Sequence, residues 1–204
     1  MQTQIIYTPA AESLTGFASN VTGASWALSA TSSGDGLAHQ ISVRNDSATD
    51  HSAKTIALVG TDENGKAQTE TLTAPGASAT VESSNYWLTL TSATPSATIG
   101  ADTFDIGWVD EFTTPTLAIN HRGDNSALNV FVSGTINYDI QQTFDDIQTK
   151  TTAFNWSVDN AATQAGVTAT TSVLYSAHPK GIRLKVNSCS TGATLTLSYT
   201  QVSC

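Results

Sequence analysis

Residues 54–72, KTIALVGTDENGKAQTETL, read as a nearly symmetric β-hairpin, and the rest of the chain repeats the same style of pattern. Ile56, Leu58 and Gly60 fall on one side of the incoming run, and Lys66, Gln68, Glu70 and Leu72 on one side of the outgoing run. Between them stands Asn64-Gly65, a pair that tolerates the positive φ angles of a tight primed turn. No nucleophile, metal-ligand set or phosphate loop accompanies the unit. It speaks of scaffold.

Composition carries the same message further. The chain of 204 residues holds 33 Thr and 23 Ser but only 8 Lys plus Arg. Threonine, branched at Cβ, suits a half-buried pleated surface. Charged residues make up 12%, too few to clothe the polar faces of long helices. The expectation is an all-β protein.

A formal net charge of −9 argues against a nucleic-acid groove, which needs clustered cations, and against an anionic membrane surface. It fits a soluble, self-repelling exterior. The opening MQTQIIYTPAAES lacks the basic and apolar regions of a signal peptide, and no stretch has the roughly 20 apolar residues of a spanning helix. Synthesis in the cytoplasm of the producing cell is expected.

Short strands are expected near residues 4–7, 26–29, 39–44, 54–61, 68–73, 86–91 and 103–109. Beyond Pro115 they continue near 116–120, 128–133, 135–143, 153–156, 182–187 and 193–201. Turn signals such as Ser33-Gly34-Asp35-Gly36, Ala74-Pro75-Gly76, Gly123-Asp124-Asn125 and Thr191-Gly192 fill the gaps. Regular short strands so punctuated indicate sandwiches or jelly rolls. Only 159–170 offers a short helix. The segment from Asp110 to Pro115 is the boundary, because Pro115 holds Thr114 extended and cannot donate to a ladder. The expected architecture is two consecutive β-sandwich or jelly-roll-like domains, 31–112 and 116–204, preceded at 1–30 by an extended N-terminal arm or first strands.

Two stretches resemble the β-rich structural proteins of tailed-bacteriophage virions. One runs from Thr31 to Trp108: TSSGDGLAHQISVRND, then IALVGTDENGKAQTETLTAPG, then VESSNYWLTLTSATPSATIGADTFDIGWV. The other comprises VSGTINYDIQQTFDDI from Val132 and HPKGIRLKVNSCSTGATLTLSYTQ from His178. Ser176–His178 departs from the Tyr-Ala-Phe-Pro run expected before that last hairpin. The resemblance implies a place in a virion, as capsid decoration, cement, head spike or neck component. It implies copies of the chain and major capsid or neck proteins as partners, with no nucleic acid or membrane.

Residues with chemical potential favour plainer roles. Neighbouring carboxylates on a strand point to opposite faces, so Asp145-Asp146 read as turn or capping residues, and Asp110-Glu111 likewise. His39, His51, His121 and His178 share no metal-ligand spacing, and no GxSxG elbow accompanies any serine. No catalytic residue, metal site or cofactor is expected. Arg122-Gly123-Asp124 spells an integrin-binding tripeptide, but it reads first as turn chemistry. Three glycosylation sequons, at Asn20, Asn45 and Asn155, carry little meaning without a signal peptide. Trp26, Trp87, Trp108 and Trp156 read as core before they read as a sugar-stacking platform.

Two further expectations name residues. The isolated run QTQIIY before Pro9 makes Gln4, Ile5, Ile6 and Tyr7 a candidate intersubunit arm that adds a strand to a neighbour. Residues 182–187 and 193–201 read as a hairpin closed near Gly192. That register carries Cys204 far from Cys189 and leaves Cys204 as a candidate intermolecular thiol. The functional expectation is a non-enzymatic virion structural protein acting through oligomeric β-domain contacts. A tail or receptor-binding module for host-surface glycan stands second, and an extracellular bacterial adhesin domain third.

Overall fold

The computed structural model describes residues 2–119, 126–150, 153–159, 161–175 and 179–201. It is all-β, with fourteen strands and one helical turn, α1 (Ala161–Gln164), among these residues. Two compact units divide the chain. One comprises Ala10–Phe112, and the other joins Met1–Pro9 to Thr113–Cys204.

In the unit Ala10–Phe112, β3 (Ala38–Asn45) lies between β8 (Phe104–Thr113) and β6 (Thr80–Trp87), and β2 (Ser13–Val21) pairs with β8. A second sheet has the order β5-β4-β7, formed by β4 (Thr55–Thr61), β5 (Ala67–Thr73) and β7 (Thr89–Pro95). Strand β4 alternates strictly, with Ile56, Leu58 and Gly60 buried. Ile56 and Leu58 join Phe17, Trp26, Ile41, Trp87, Leu90 and Phe104 in one apolar core. Gly60 is obligatory in β4, since a Cβ would stand 2.0 Å from the Thr89 carbonyl oxygen.

The turn between β4 and β5 differs from the tight primed turn expected. Asp62 and Lys66 close a three-residue loop in which only Gly65 has positive φ, at 75°. The Asp62 carboxylate explains the choice. Its Oδ1 accepts the N–H groups of Asn64 and Lys66, both at 2.9 Å, so the longer loop leaves neither donor stranded.

In the other unit, one sheet has the order β1-β14-β10-β12, from β1 (Gln2–Tyr7), β10 (Ser126–Ser133), β12 (Thr171–Tyr175) and β14 (Thr194–Gln201). Strand β11 (Ile136–Thr143) pairs with β13 (Gly181–Cys189), which also takes up the short β9 (Leu117–Ala118). Each sheet buries alternate residues: Leu128, Val130, Leu195 and Leu197 in the first, Tyr138, Ile140, Leu184 and Val186 in the second. This is the inward/outward alternation of layered sheets.

Further expectations need correction. Residues 26–29 and 153–156, expected as strands, belong to no strand. Of the two readings of residues 1–30, first strands hold and an extended arm does not. β1 completes the C-terminal unit, and β2 carries Phe17 and Ala18, each 2% exposed, into the core of the other. The two units are therefore not consecutive in sequence, although the chain passes between them at Phe112 and Thr113, inside the segment read as a boundary. Finally, β13 and β14 do not form a hairpin. β13 pairs with β11 and β9, whereas β14 pairs with β1 and β10, so the turn at Ser190 carries the chain from one sheet to another. The register assumed for Cys204 does not exist.

Candidate interaction surface

Strand β1 pairs with β14 without a register shift: Gln4 stands opposite Ser198, Ile5 opposite Leu197, Ile6 opposite Thr196 and Tyr7 opposite Leu195. Thr3, Ile5 and Tyr7 are half-buried on the inner side, and burial raises the Tyr7 phenol above its ordinary pKa. Gln4 and Ile6 point outward, Ile6 being 65% exposed. The proposed arm is thus an intrachain strand, held because Ile5 and Tyr7 meet the leucines of β14. Its other edge faces no strand among the described residues.

That edge lacks the sequence-level protections of an edge strand. Natural edge strands are blunted by charged residues, by proline or by bulges. β1 reads QTQIIY and its register is unbroken, so it has none of the three.

The sheet behind it shares this character. Its strand sequences, QTQIIY, SALNVFVS, TSVLY and TLTLSYTQ, contain no charged residue and no histidine. Registers place Ile6 and Phe131 on either side of Thr196, and Leu174 beside Ala127, whose other neighbour is Thr200. All three apolar residues project outward, with exposures of 65% for Ile6, 48% for Phe131 and 82% for Leu174. They are three of the five large hydrophobic residues exposed among the described residues.

The other candidate groups are held in local networks. Asp35 accepts hydrogen bonds from Ala10 N at 2.7 Å, Ser33 Oγ at 2.7 Å and Leu37 N at 2.9 Å, and it contacts His39 Nε2 at 2.9 Å. Burial disfavours the Asp35 carboxylate, but the hydrogen bonds from His39, Ala10 and Ser33 outweigh it and hold the pKa at about 2. The order of groups is wrong for a nucleophilic triad. Asp35 stands between Ser33 and His39, and the remaining nitrogen of His39 faces the Val109 carbonyl at 2.9 Å. His51 is similarly placed between Asp102 and Lys54, each 2.9 Å away.

Asp145 and Asp146 act separately, as turn residues do. Asp145 Oδ2 takes Lys150 Nζ and Asn155 N, both at 2.6 Å, while Asp146 takes Gln148 N at 3.0 Å and Thr149 Oγ1 at 2.7 Å. Asp110 and Glu111, read as turn residues, instead lie within strand β8. Among the described residues, no three His, Cys, Asp or Glu are grouped to hold a metal ion.

Trp26, Trp87 and Trp108 are buried, with 8%, 1% and 9% exposure. Trp156 is half-buried and lies 4.2 Å beneath the Arg183 guanidinium. The described tryptophans therefore offer no exposed pair for stacking a sugar. Cys189 ends β13 half-buried, with its Sγ 3.5 Å from the Ser190 carbonyl. Cys204, His121, His178 and Arg122-Gly123-Asp124 lie outside the described residues.

The candidate surface thus combines an unguarded strand edge with an uncharged sheet face. Sequence reasoning read QTQIIY as an arm for a neighbouring subunit, whereas it is an edge strand of its own sheet. That reasoning missed the face, because only the topology brings those four strands side by side. No protein-family model matches the chain, and no curated protein matches it. Among solved structures, it is similar to the PBSX exported protein XepA at 9% identity and a TM-score of 0.25, over 98% of this chain and 86% of that one.

Proposed function

We propose that this chain is a non-enzymatic structural protein of a phage particle, a decoration or cement subunit of the capsid or neck that works through oligomeric β-domain contacts. The carrying observation is the unguarded outer edge of β1, which presents backbone donors and acceptors in an unbroken register. Such an edge is satisfied by a strand from a neighbouring subunit, with main-chain hydrogen bonds supplying affinity. The net charge of −9 supports the same reading, since it keeps unassembled copies soluble in the cytoplasm of the producing cell. Copies of this chain and the major capsid or neck proteins are the partners. The chain then resides in the virion, with no role for nucleic acid, membrane or cofactor.

Quantitative peptide mass spectrometry of density-banded particles from the producing cell tests this reading. Peptides of this chain are expected in fixed stoichiometry to the major capsid protein. Their loss on banding, with the chain left in the soluble fraction, contradicts it.

A further inference from the structure

The outer face of the β1-β14-β10-β12 sheet differs from the rest of the protein in a way that an edge strand does not explain. Its four strands, of five to eight residues each, carry no charge in a chain of net charge −9. Along the face, small polar side chains such as Ser198 and Thr196 alternate with the apolar projections of Ile6, Phe131 and Leu174. We propose that this face is the surface through which two copies of the chain associate. The inference deepens the structural role proposed above and rests on it.

Charge selects a second copy as the occupant. Two chains of charge −9 repel one another over most of their surfaces, and burying an unpartnered carboxylate between them is costly. On this face, closure buries no charge on either side. It also brings the same exposed apolar residues from both partners, as an isologous contact requires.

The size is close to that of the smallest specific contacts. With strands about 4.8 Å apart and a rise of about 3.4 Å per residue, the sheet offers roughly 450 Å² of projected face. Two copies together cover roughly 900 Å² of projected area, just under the ~1,000 Å² of the smallest specific interfaces, before the outward projection of Ile6, Phe131 and Leu174 is counted. Ile6 and Phe131, each one strand from Thr196, lie about 10 Å apart across the sheet, and Leu174 stands roughly 14 Å further along it. The apolar contacts therefore span the face rather than forming one spot.

Sedimentation velocity on the full chain, up to about 100 µM, tests the proposal. The expected result is a species of twice the monomer mass, with dissociation constants raised at least about tenfold by Phe131→Lys and by Leu174→Lys. Val59→Lys, at an apolar residue of β4 that is 40% exposed, is expected to leave association unchanged. Each lysine lowers the net negative charge, so bulk repulsion changes in the wrong direction to explain a loss. Far-UV circular dichroism establishes that each variant is folded. Leu174→Lys, at the more exposed position, decides the matter if Phe131→Lys does not fold.

A chain that is monomeric throughout overturns the proposal. So does a dimer indifferent to both face variants, or one that Val59→Lys weakens equally. Particle mass spectrometry keeps the two readings distinct. A chain present in particles but monomeric alone removes the paired face while the structural role stands.

Discussion

Thr135 and Ser190 hold each other where the chain twice crosses between sheets. The Thr135 N–H donates to Ser190 Oγ at 3.1 Å, and the Ser190 N–H donates to the Thr135 carbonyl at 2.8 Å. Thr135 lies in the crossing from β10 to β11, and Ser190 in that from β13 to β14. The two crossings pack so closely that a Cβ on Gly134 would stand 2.9 Å from the Cβ of Ala193. Gly134 also has φ of 84°, in the left-handed region.

The effect of Gly134→Ala follows. Left-handed φ costs an L-residue about 1–2 kcal/mol, and the contact with Ala193 adds to it, for a total of about 2–3 kcal/mol. Gly192, with φ of 79° and nothing within 4 Å of its Cβ position, is the internal control. Gly192→Ala is expected to cost only the conformational part, about 1–2 kcal/mol, and so about 1 kcal/mol less than Gly134→Ala. Urea denaturation of the two variants measures the difference, and equal losses would show that the crossings are not in tight contact.

These crossings also mark the limit of what the sequence reveals. Residues 182–187 and 193–201 alternate cleanly around a Thr-Gly turn, and both are strands. The alternation says which side chains are buried but not which strand lies alongside, so a crossing between sheets reads as a hairpin. β2 was hidden for another reason. Its pairing with β8 shifts register twice, so Phe17 and Ala18 are buried next to each other and no period of two survives. The run 86–91 reads as one strand but divides at Leu88, whose N–H turns away to the Thr61 carbonyl. At the surface, QTQIIY was legible as a strand seeking an edge. The uncharged face was not, because its four strands are scattered from one end of the chain to the other.

Acid sensitivity should concentrate at Asp35, whose side chain is 5% exposed. Its folded pKa of about 2 lies below the ordinary 3.8, so the fold favours the ionised form. The resulting stabilisation, about 2 kcal/mol, is complete above the unfolded value and is lost as pH falls from 3.8 through 2. Asp35→Asn is therefore expected to lower stability by about this amount at neutral pH, with the gap to the parent closing towards pH 2. Denaturation midpoints measured across that range check it. A gap that stays constant with pH would mean that lost hydrogen-bond geometry, rather than ionisation, accounts for the effect.

The central claim is that an unguarded edge and an uncharged face of one sheet make this protein an assembling component. Hydrogen–deuterium exchange of the peptide covering residues 2–7, measured on the isolated chain and on intact particles, tests it most directly. Roughly half of the β1 amides face away from β14 and should exchange rapidly when the chain is alone and open to solvent. Strong protection of those amides in the particle is the predicted result. Equal exchange in both states would contradict the account, because the edge would then remain open to solvent where its partner is supposed to lie.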